Sequence, residues 1–139
     1  MNAIDDNQVK VEASRVADED RIETLPRHFG RHLLEVEEAI YGWLRQLSQD
    51  YSGGYWAFFE LSNGGFYMAP ECTPLRIRVA GNGFEGTMSA DAAGITACLF
   101  AFSHLSFRIP AVSIARHYYE LRDFALEHSE ASAILAATD

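Results

Sequence analysis

The clearest pattern along the chain is the alternation of apolar and polar residues between Tyr51 and Asp91. Two Asn-Gly pairs, at 63–64 and at 82–83, each lie between runs rich in aromatic and branched residues. An Asn-Gly pair in this setting is typical of a two-residue turn between antiparallel strands. The pattern therefore predicts two successive β-hairpins, with structural turn residues Asn63, Gly64, Gly65, Asn82 and Gly83.

The second hairpin separates cleanly into an apolar and a polar face. A two-residue turn at 82–83 pairs Ala80 with Glu85 and Ile77 with Met88, and a slip of one residue would mix the faces. The apolar face carries Leu75, Ile77, Val79 and Met88, and the polar face carries Arg76, Arg78, Glu85 and Thr87. Such a hairpin packs on the core with one side only.

The first hairpin is predicted to be apolar on both faces. A two-residue turn at 63–64 puts one set of side chains together, namely Phe59, Leu61, Phe66 and Met68. The opposite face then carries Trp56, Phe58, Glu60 and Tyr67.

Helical periodicity surrounds the hairpins. Residues 33–49 predict an amphipathic helix, and another begins near Pro110. Ser89 is a favourable N-cap and Asp91 adds negative charge to the first turn of a helix that is apolar nearly all round. The fold class is therefore α+β (mixed α/β), a single domain with an antiparallel sheet of about four strands packed with about three to four α-helices.

The chain length of 139 residues suits one domain. Residues 1–22 are acidic and poor in large apolar groups, so they predict a mobile tail, either a partner-binding arm or a solubilising terminus. Residues 23–139 form the single domain. The first residues lack the pattern of a secretory signal, and the apolar stretch at 92–107 is short for a bilayer span. The two cysteines, Cys72 and Cys98, form neither a disulfide framework nor the spacing of a metal site, so a cytoplasmic location is expected.

A formal net charge of -9 argues against non-specific nucleic-acid binding, which depends on lysines and arginines. It raises the question of DNA mimicry. A stretch of B-DNA as long as a compact chain of this size carries roughly 22 phosphate charges. A whole-surface mimic is therefore disfavoured, although one acidic face remains an alternative.

No catalytic residue, cofactor site or metal site is predicted. The run Gly81–Gly86 matches G-x-G-x-x-G, but a strand follows it where a dinucleotide site needs a helix. His28 and His32 have the spacing of metal ligands without a further ligand in recognisable spacing. Glu60 and Glu85 could form a carboxylate pair for acid–base chemistry. The alternative is that they pair across strands with Arg76, Arg78 or the Tyr67 hydroxyl.

One candidate interaction surface follows from the two hairpins if they share one sheet. Its residues are Trp56, Glu60, Tyr67, Arg76, Arg78 and Glu85. Tryptophan, tyrosine and arginine are enriched at protein interfaces. The alternative is that a helix covers Trp56 and Phe58, which would make this face a second core layer.

Four segments resemble the ArdB/KlcA type of antirestriction protein: LPRHFG, YGWLRQLSQDYSGGYWAFFELSNGGFYMAP, GNGFEGTMSADAAGI and HYYELRDFALEHSEA. Phe59 stands where the family's WxFY run has tyrosine, and the N-terminal tail has no clear counterpart. The resemblance implies a single α/β domain carried on plasmids and other mobile elements. It also implies protection of incoming plasmid or phage DNA from host type I restriction enzymes in the bacterial cytoplasm, without catalysis or a cofactor.

Together these observations predict an antirestriction protein that binds a protein partner in the type I restriction pathway, directly or indirectly. Neither nucleic acid nor a membrane is expected as a partner. One alternative is a partial DNA mimic that binds the restriction enzyme through an acidic face. Another is a small hydrolase or nucleotide-binding enzyme that uses Glu60, Glu85 and the Gly81–Gly86 loop.

Overall fold

The structure is a computed structural model that describes residues 10–139. Its strands are β1 (Ala13–Arg15), β2 (Trp56–Leu61), β3 (Phe66–Pro70), β4 (Leu75–Val79) and β5 (Phe84–Met88). Its helices are α1 (Arg21–Phe29), α2 (Leu33–Leu47), α3 (Ala90–Arg108), α4 (Val112–Ala125) and α5 (Ala131–Thr138). The α+β class is confirmed. The strands form two antiparallel sheets instead of the predicted one, a three-stranded sheet ordered β1-β2-β3 and a two-stranded sheet of β4 and β5.

Helix α3 is the central core helix, as its composition predicts. Ser89 caps it, because the Ser89 hydroxyl accepts a hydrogen bond from the backbone N–H of Ala92 at 3.1 Å. The helix lies along β3, where the Cys98 thiol donates to the Met68 carbonyl at 3.6 Å. By length and composition α3 could cross a membrane, yet most of its apolar stretch is buried inside the domain. Burial within the domain accounts for its apolar composition.

The register of the first hairpin differs by one residue from the prediction. Phe58 pairs with Met68, Phe59 with Tyr67 and Glu60 with Phe66. The cause is a longer turn, in which the Leu61 N–H donates to the Gly65 carbonyl at 2.9 Å. Asn63 shapes this turn by accepting a hydrogen bond from the Gly65 N–H at 3.0 Å. Tyr67 therefore lies on the face opposite Trp56 and Glu60.

The second hairpin is shifted by two residues, so its predicted faces are correct. Leu75 pairs with Met88 and Val79 with Phe84, across a turn at 80–83. The predicted apolar residues Leu75, Ile77, Val79 and Met88 are buried. Arg76, Arg78, Glu85 and Thr87 are exposed. A two-residue shift preserves the side to which each side chain points.

The structure also differs from the predicted mobile tail over part of residues 1–22. Ala13–Arg15 pair with β2, and Arg21 begins α1. The Arg21 guanidinium lies 4.0 Å from the centre of the Phe58 ring and donates to the Trp56 carbonyl at 2.7 Å. These contacts, together with the burial of Val16 in the core, hold the segment to the sheet. The remainder of the prediction, over residues 1–9, lies outside the described residues.

Candidate partner-binding site

The aromatic members of the predicted interaction surface are buried. Trp56 is 3% exposed and Tyr67 is 2% exposed. The Trp56 indole N–H donates to the Tyr51 hydroxyl at 2.8 Å, and its ring packs edge-on against Tyr41. Phe58, 5% exposed, is also in the core. The interpretation of this face as a second core layer is the correct one, because neither Trp56 nor Tyr67 is available to a partner.

Glu60 is placed away from the arginines of β4. It pairs with Arg27, and its other oxygen lies 2.7 Å from the His28 Nε2 atom. His117 of α4 packs on His28 with ring centres 5.0 Å apart. The cluster thus joins α1 and α4 to the first hairpin, and the predicted pairing of Glu60 with Arg76, Arg78 or Tyr67 is wrong.

This cluster contains two buried polar atoms that face each other without a hydrogen-bond partner among the described residues. They are the Nδ1 atom of His117 and the Oε1 atom of Glu120, 3.9 Å apart. Burial lowers the pKa of His117 to about 4, and the nearby His28 adds to this effect. Burial raises the pKa of Glu120. Both shifts favour the neutral forms, as expected for groups removed from water.

A second polar cluster joins the start of α3 to the segment before α5. The Tyr67 hydroxyl donates to Asp91 at 2.8 Å, and the His128 Nε2 atom lies 2.8 Å from the other Asp91 oxygen. The His128 Nδ1 atom accepts a hydrogen bond from the Glu130 N–H at 2.9 Å, which places the ring proton on Nε2. Burial, with Asp91 adding to it, raises the pKa of Tyr67.

Ser89 completes this cluster. Glu130 accepts hydrogen bonds from the Ser89 N–H at 2.9 Å and from the Ser89 hydroxyl. Ser89, His128 and Asp91 thus lie close together. The Ser89 hydroxyl donates to Glu130, however, and both ring nitrogens of His128 already make hydrogen bonds. The arrangement fastens the C-terminal segment to α3, so we name Ser89, Asp91, His128 and Glu130 the C-terminal latch. Of this cluster, the sequence predicts only that Ser89 is the N-cap and that Asp91 lies in the first turn of the helix.

The predicted surface residues that remain together and exposed are Arg76, Arg78 and Glu85. The Arg76 Nη2 atom lies 3.3 Å, and the Arg78 Nε atom 3.2 Å, from the two oxygens of Glu85. The cross-strand pairing of Glu85 with these arginines is therefore confirmed. The three side chains border a groove of about 550 Å³, which we name the α2–β4 groove. Its lining residues are Trp43, Gln46, Leu47, Gln49, Asp50, Arg76, Arg78, Val79, Ala80, Gly81, Glu85 and Phe100.

Aromatic side chains form one wall of the α2–β4 groove. Trp43 stacks on Phe100 with ring centres 4.6 Å apart and planes inclined by 11°. Trp43 belongs to the apolar stripe of α2, and nothing in that stripe distinguishes it from a core residue. A half-buried tryptophan beside two exposed arginines has the composition of interface hot spots. The groove therefore replaces the predicted sheet face as the candidate partner-binding site.

Comparison with known families identifies one match. A family model described as "Antirestriction protein" matches residues 49–139. This range includes both hairpins, the C-terminal latch, Phe100 and the β4 side of the groove.

Relatives and a solved structure match nearly the whole chain. An Escherichia coli protein named antirestriction protein KlcA is 48% identical over 135 residues, covering 91% of this chain and 92% of its own length. The E. coli K12 protein YafX, described as uncharacterised, is 43% identical and covers 89% of this chain and 85% of its own length. A solved structure from work on KlcA and ArdB matches with a TM-score of 0.88 and 45% identity, over 96% of this chain and 99% of that one. KlcA and ArdB are reported to have a novel fold and to act against type I DNA restriction systems in vivo but not in vitro.

Proposed function

The chain belongs to the antirestriction protein family, and from that premise we propose that it protects incoming plasmid or phage DNA from host type I restriction enzymes. The observation that carries the proposal is the match to the KlcA and ArdB structure over 96% of this chain at 45% identity. A shared fold alone would not carry the proposal, because one fold hosts unrelated functions. The family model and the named relatives match this chain in sequence as well.

The mode of action that we propose is binding to a protein partner through the α2–β4 groove, without catalysis or a cofactor. Three features support it. The groove offers exposed arginines beside an aromatic wall, the groups that dominate the energy of protein interfaces. In the C-terminal latch, the hydroxyl and imidazole suited to nucleophilic chemistry are held by neighbouring protein groups. The net charge of -9 disfavours a nucleic-acid partner.

The partner acts in the type I restriction pathway, either as the nuclease itself or as a host component that controls it. Support for the second route comes from KlcA and ArdB, which act in vivo but not in vitro. An inhibitor that only blocks the nuclease would be expected to act on the purified enzyme. We also propose that the protein works in the bacterial cytoplasm, because type I restriction meets incoming DNA in that compartment. We propose in addition that it is carried on mobile elements.

The test is the plating of unmodified phage on a strain with an active type I system, with and without this protein. The wild-type protein should restore plating, and a Trp43→Ala variant should restore it less. The control is Tyr119→Ala, which removes an aromatic side chain that is 65% exposed and is not among the groove-lining residues. Unchanged plating with folded wild-type protein would reject the proposed function. Equal protection by both variants would reject the groove as its site.

A further inference from the structure

We propose that Glu120 is protonated in the folded protein and donates its proton to the Nδ1 atom of His117, and that loss of this proton loosens the turn between β2 and β3 (62–65). The two side chains would then form a neutral pair inside the domain. Neither residue is among those that line the α2–β4 groove. The inference therefore goes beyond the proposed function, because it concerns a pH-sensitive contact within the fold.

The first observation is the pair of buried atoms that face each other without a hydrogen-bond partner in the described part of the chain. The His117 Nδ1 and Glu120 Oε1 atoms are 3.9 Å apart, and the side chains are 4% and 18% exposed. An ionised carboxylate and an unprotonated imidazole nitrogen both only accept hydrogen bonds, so this arrangement leaves two buried acceptors unsatisfied. A proton on Glu120 supplies the missing donor once a side-chain rotation brings the atoms within hydrogen-bond distance.

The surroundings of the His117 ring determine which of the two groups carries the proton. The ring packs against Phe29 and Phe102, with ring centres 4.6 Å and 5.8 Å away. The backbone of His28 accepts a hydrogen bond from the ring, which favours a ring proton on that side. Because Nδ1 is without a partner among the described residues, that proton lies on Nε2, and Nδ1 is an acceptor. The donor for Nδ1 must therefore be Glu120.

Glu120 packs directly against the turn between β2 and β3. A Cβ atom at Gly65 would lie 2.9 Å from the Glu120 Cβ atom, and the Asn63 side chain donates to the Glu120 backbone carbonyl at 3.0 Å. An ionised carboxylate needs hydration or a donor, and the Oε1 atom is buried. Water can reach this atom only if the packing around it opens, so loss of the proton acts on the turn.

The neighbouring charges compensate an ionised Glu120 only weakly. The Arg116 Nε atom lies 3.7 Å from the Glu120 Oε2 atom, beyond hydrogen-bond distance, and the Arg116 side chain is 64% exposed. Burial raises the pKa of Glu120 despite the opposing effects of Arg116 and His28. The contact is therefore present below this raised pKa and is lost as the pH rises through it, when the proton leaves to solvent.

The groups that face the pair come from every element packed against it. The turn contributes Asn63 and α3 contributes Phe102, and neither side chain titrates. The charged and titratable groups are His28 from α1, Glu60 from β2, and Arg116 and Asp123 from α4.

Nuclear magnetic resonance of the wild-type protein locates the proton. The carbon signal of the Glu120 carboxyl should titrate with a midpoint above the ordinary value of 4.5. Below that midpoint and above the His117 pKa of about 4, the nitrogen signal of Nδ1 should be that of an unprotonated nitrogen. It should also shift as Glu120 titrates. A Glu120 midpoint at or below 4.5, or a proton on Nδ1 across this range, would overturn the proposal.

Glu120→Gln tests the effect of the proton on the turn, because the glutamine amide has the shape of the protonated acid and can donate to Nδ1 at every pH. The reporter is the Leu61 N–H, which donates to the Gly65 carbonyl at 2.9 Å across the turn. In the wild type, hydrogen exchange of this amide should accelerate through the Glu120 titration by more than the general effect of pH on exchange. In Glu120→Gln it should show the general effect alone.

The matched control is Glu127→Gln, which neutralises an exposed glutamate and should behave as the wild type does. We also expect Glu120→Gln to raise the Tm by about 3 °C at pH 8 and by less at pH 5. Equal pH dependence of Leu61 exchange in the wild type and Glu120→Gln would overturn the proposal, and so would a Gln variant less stable than the wild type at both pH values. These measurements are separate from the plating assay, so their failure rejects this inference alone.

Discussion

At the scale of single residues, the buried imidazole of His117 makes folding stability depend on pH. Burial lowers its pKa to about 4 in the folded protein, from an ordinary value of 6.5. Between these values the unfolded chain binds more protons than the folded one, so stability is complete above about pH 6.5 and falls as the pH drops toward 4. The loss is of the order of 3 kcal/mol, since each tenfold change in proton affinity corresponds to about 1.4 kcal/mol. We expect His117→Gln to remove this loss.

Urea unfolding of the wild type and of His117→Gln between pH 4 and pH 7 measures the effect. The charged groups that act on His117 are His28, Arg116 and Glu60, and Glu120 faces it. The raised pKa of Glu120 has the opposite sign, because its contribution is lost as the pH rises. The exposed His104 gives the matched control, His104→Gln. Parallel pH dependence of the wild type and His117→Gln would contradict the prediction.

We expect Ser89 to affect stability more than its size suggests, because its hydroxyl makes two hydrogen bonds. It accepts from the Ala92 N–H at the start of α3 and donates to Glu130. Ser89→Ala should lower the free energy of unfolding by about 1 to 3 kcal/mol, from the lost cap and the lost hydrogen bond to a charged group. Thermal and urea unfolding measure it, with the exposed Ser52→Ala as control. A loss equal to that of Ser52→Ala would show that the Ser89 hydroxyl contributes nothing to stability.

At the scale of elements, the two hairpins show what the sequence could and could not predict. Both Asn-Gly pairs correctly locate a turn, and in each the Asn side chain accepts a backbone N–H two residues on. Both turns are longer than two residues, and in each the Asn side chain also donates to a helix carbonyl, that of Glu120 for Asn63 and that of Ala137 for Asn82. Such distant contacts leave no local pattern.

The effect of each register shift depends on whether the shift is by an even or an odd number of residues. A shift of two residues leaves Arg76, Arg78 and Glu85 on the predicted exposed face. A shift of one residue moves Tyr67 away from Trp56, and packing buries both. The C-terminal latch was not predictable for a similar reason, because its hydrogen bonds join Ser89 and Asp91 to residues about forty positions away.

Gly94 sets the distance between α3 and β3. A Cβ atom at Gly94 would lie 2.5 Å from the Cα and Cβ atoms of Ala69 and from the Met68 carbonyl oxygen. These neighbours include backbone atoms, so the helix would have to move. Gly94→Ala should therefore lower the free energy of unfolding by about 1 to 3 kcal/mol, despite the helical preference of alanine.

The control for this prediction is Gly42→Ala in α2. There an added Cβ would meet only the Arg45 guanidinium, at 3.9 Å. We expect this variant to be as stable as the wild type or more stable, by up to about 1 kcal/mol, because alanine favours a helix. Thermal unfolding of the two variants side by side measures the difference. If both variants gained stability, the close approach of α3 to β3 would be refuted.

At the scale of the whole molecule, net charge separates groove binding from DNA mimicry. The protein carries a formal charge of -9, so a mimic should gain from further negative charge and lose from neutralisation. Groove binding depends instead on the two arginines that border the groove, and not on net charge. The double variant Arg76→Glu/Arg78→Glu makes the protein more acidic and should nevertheless lower protection against restriction in the plating assay. Neutralising two exposed acids with Glu19→Gln/Glu23→Gln should leave protection unchanged.

The matched control reverses two exposed arginines outside the groove lining, Arg31→Glu/Arg45→Glu, and produces the same net charge as the groove variant. Because net charge is equal, any difference in protection between the two double variants comes from position. We expect the control to protect as the wild type does, while the groove variant loses the two arginines that border the proposed binding site. Protection that follows net charge across all three variants would instead favour an acidic face that imitates DNA.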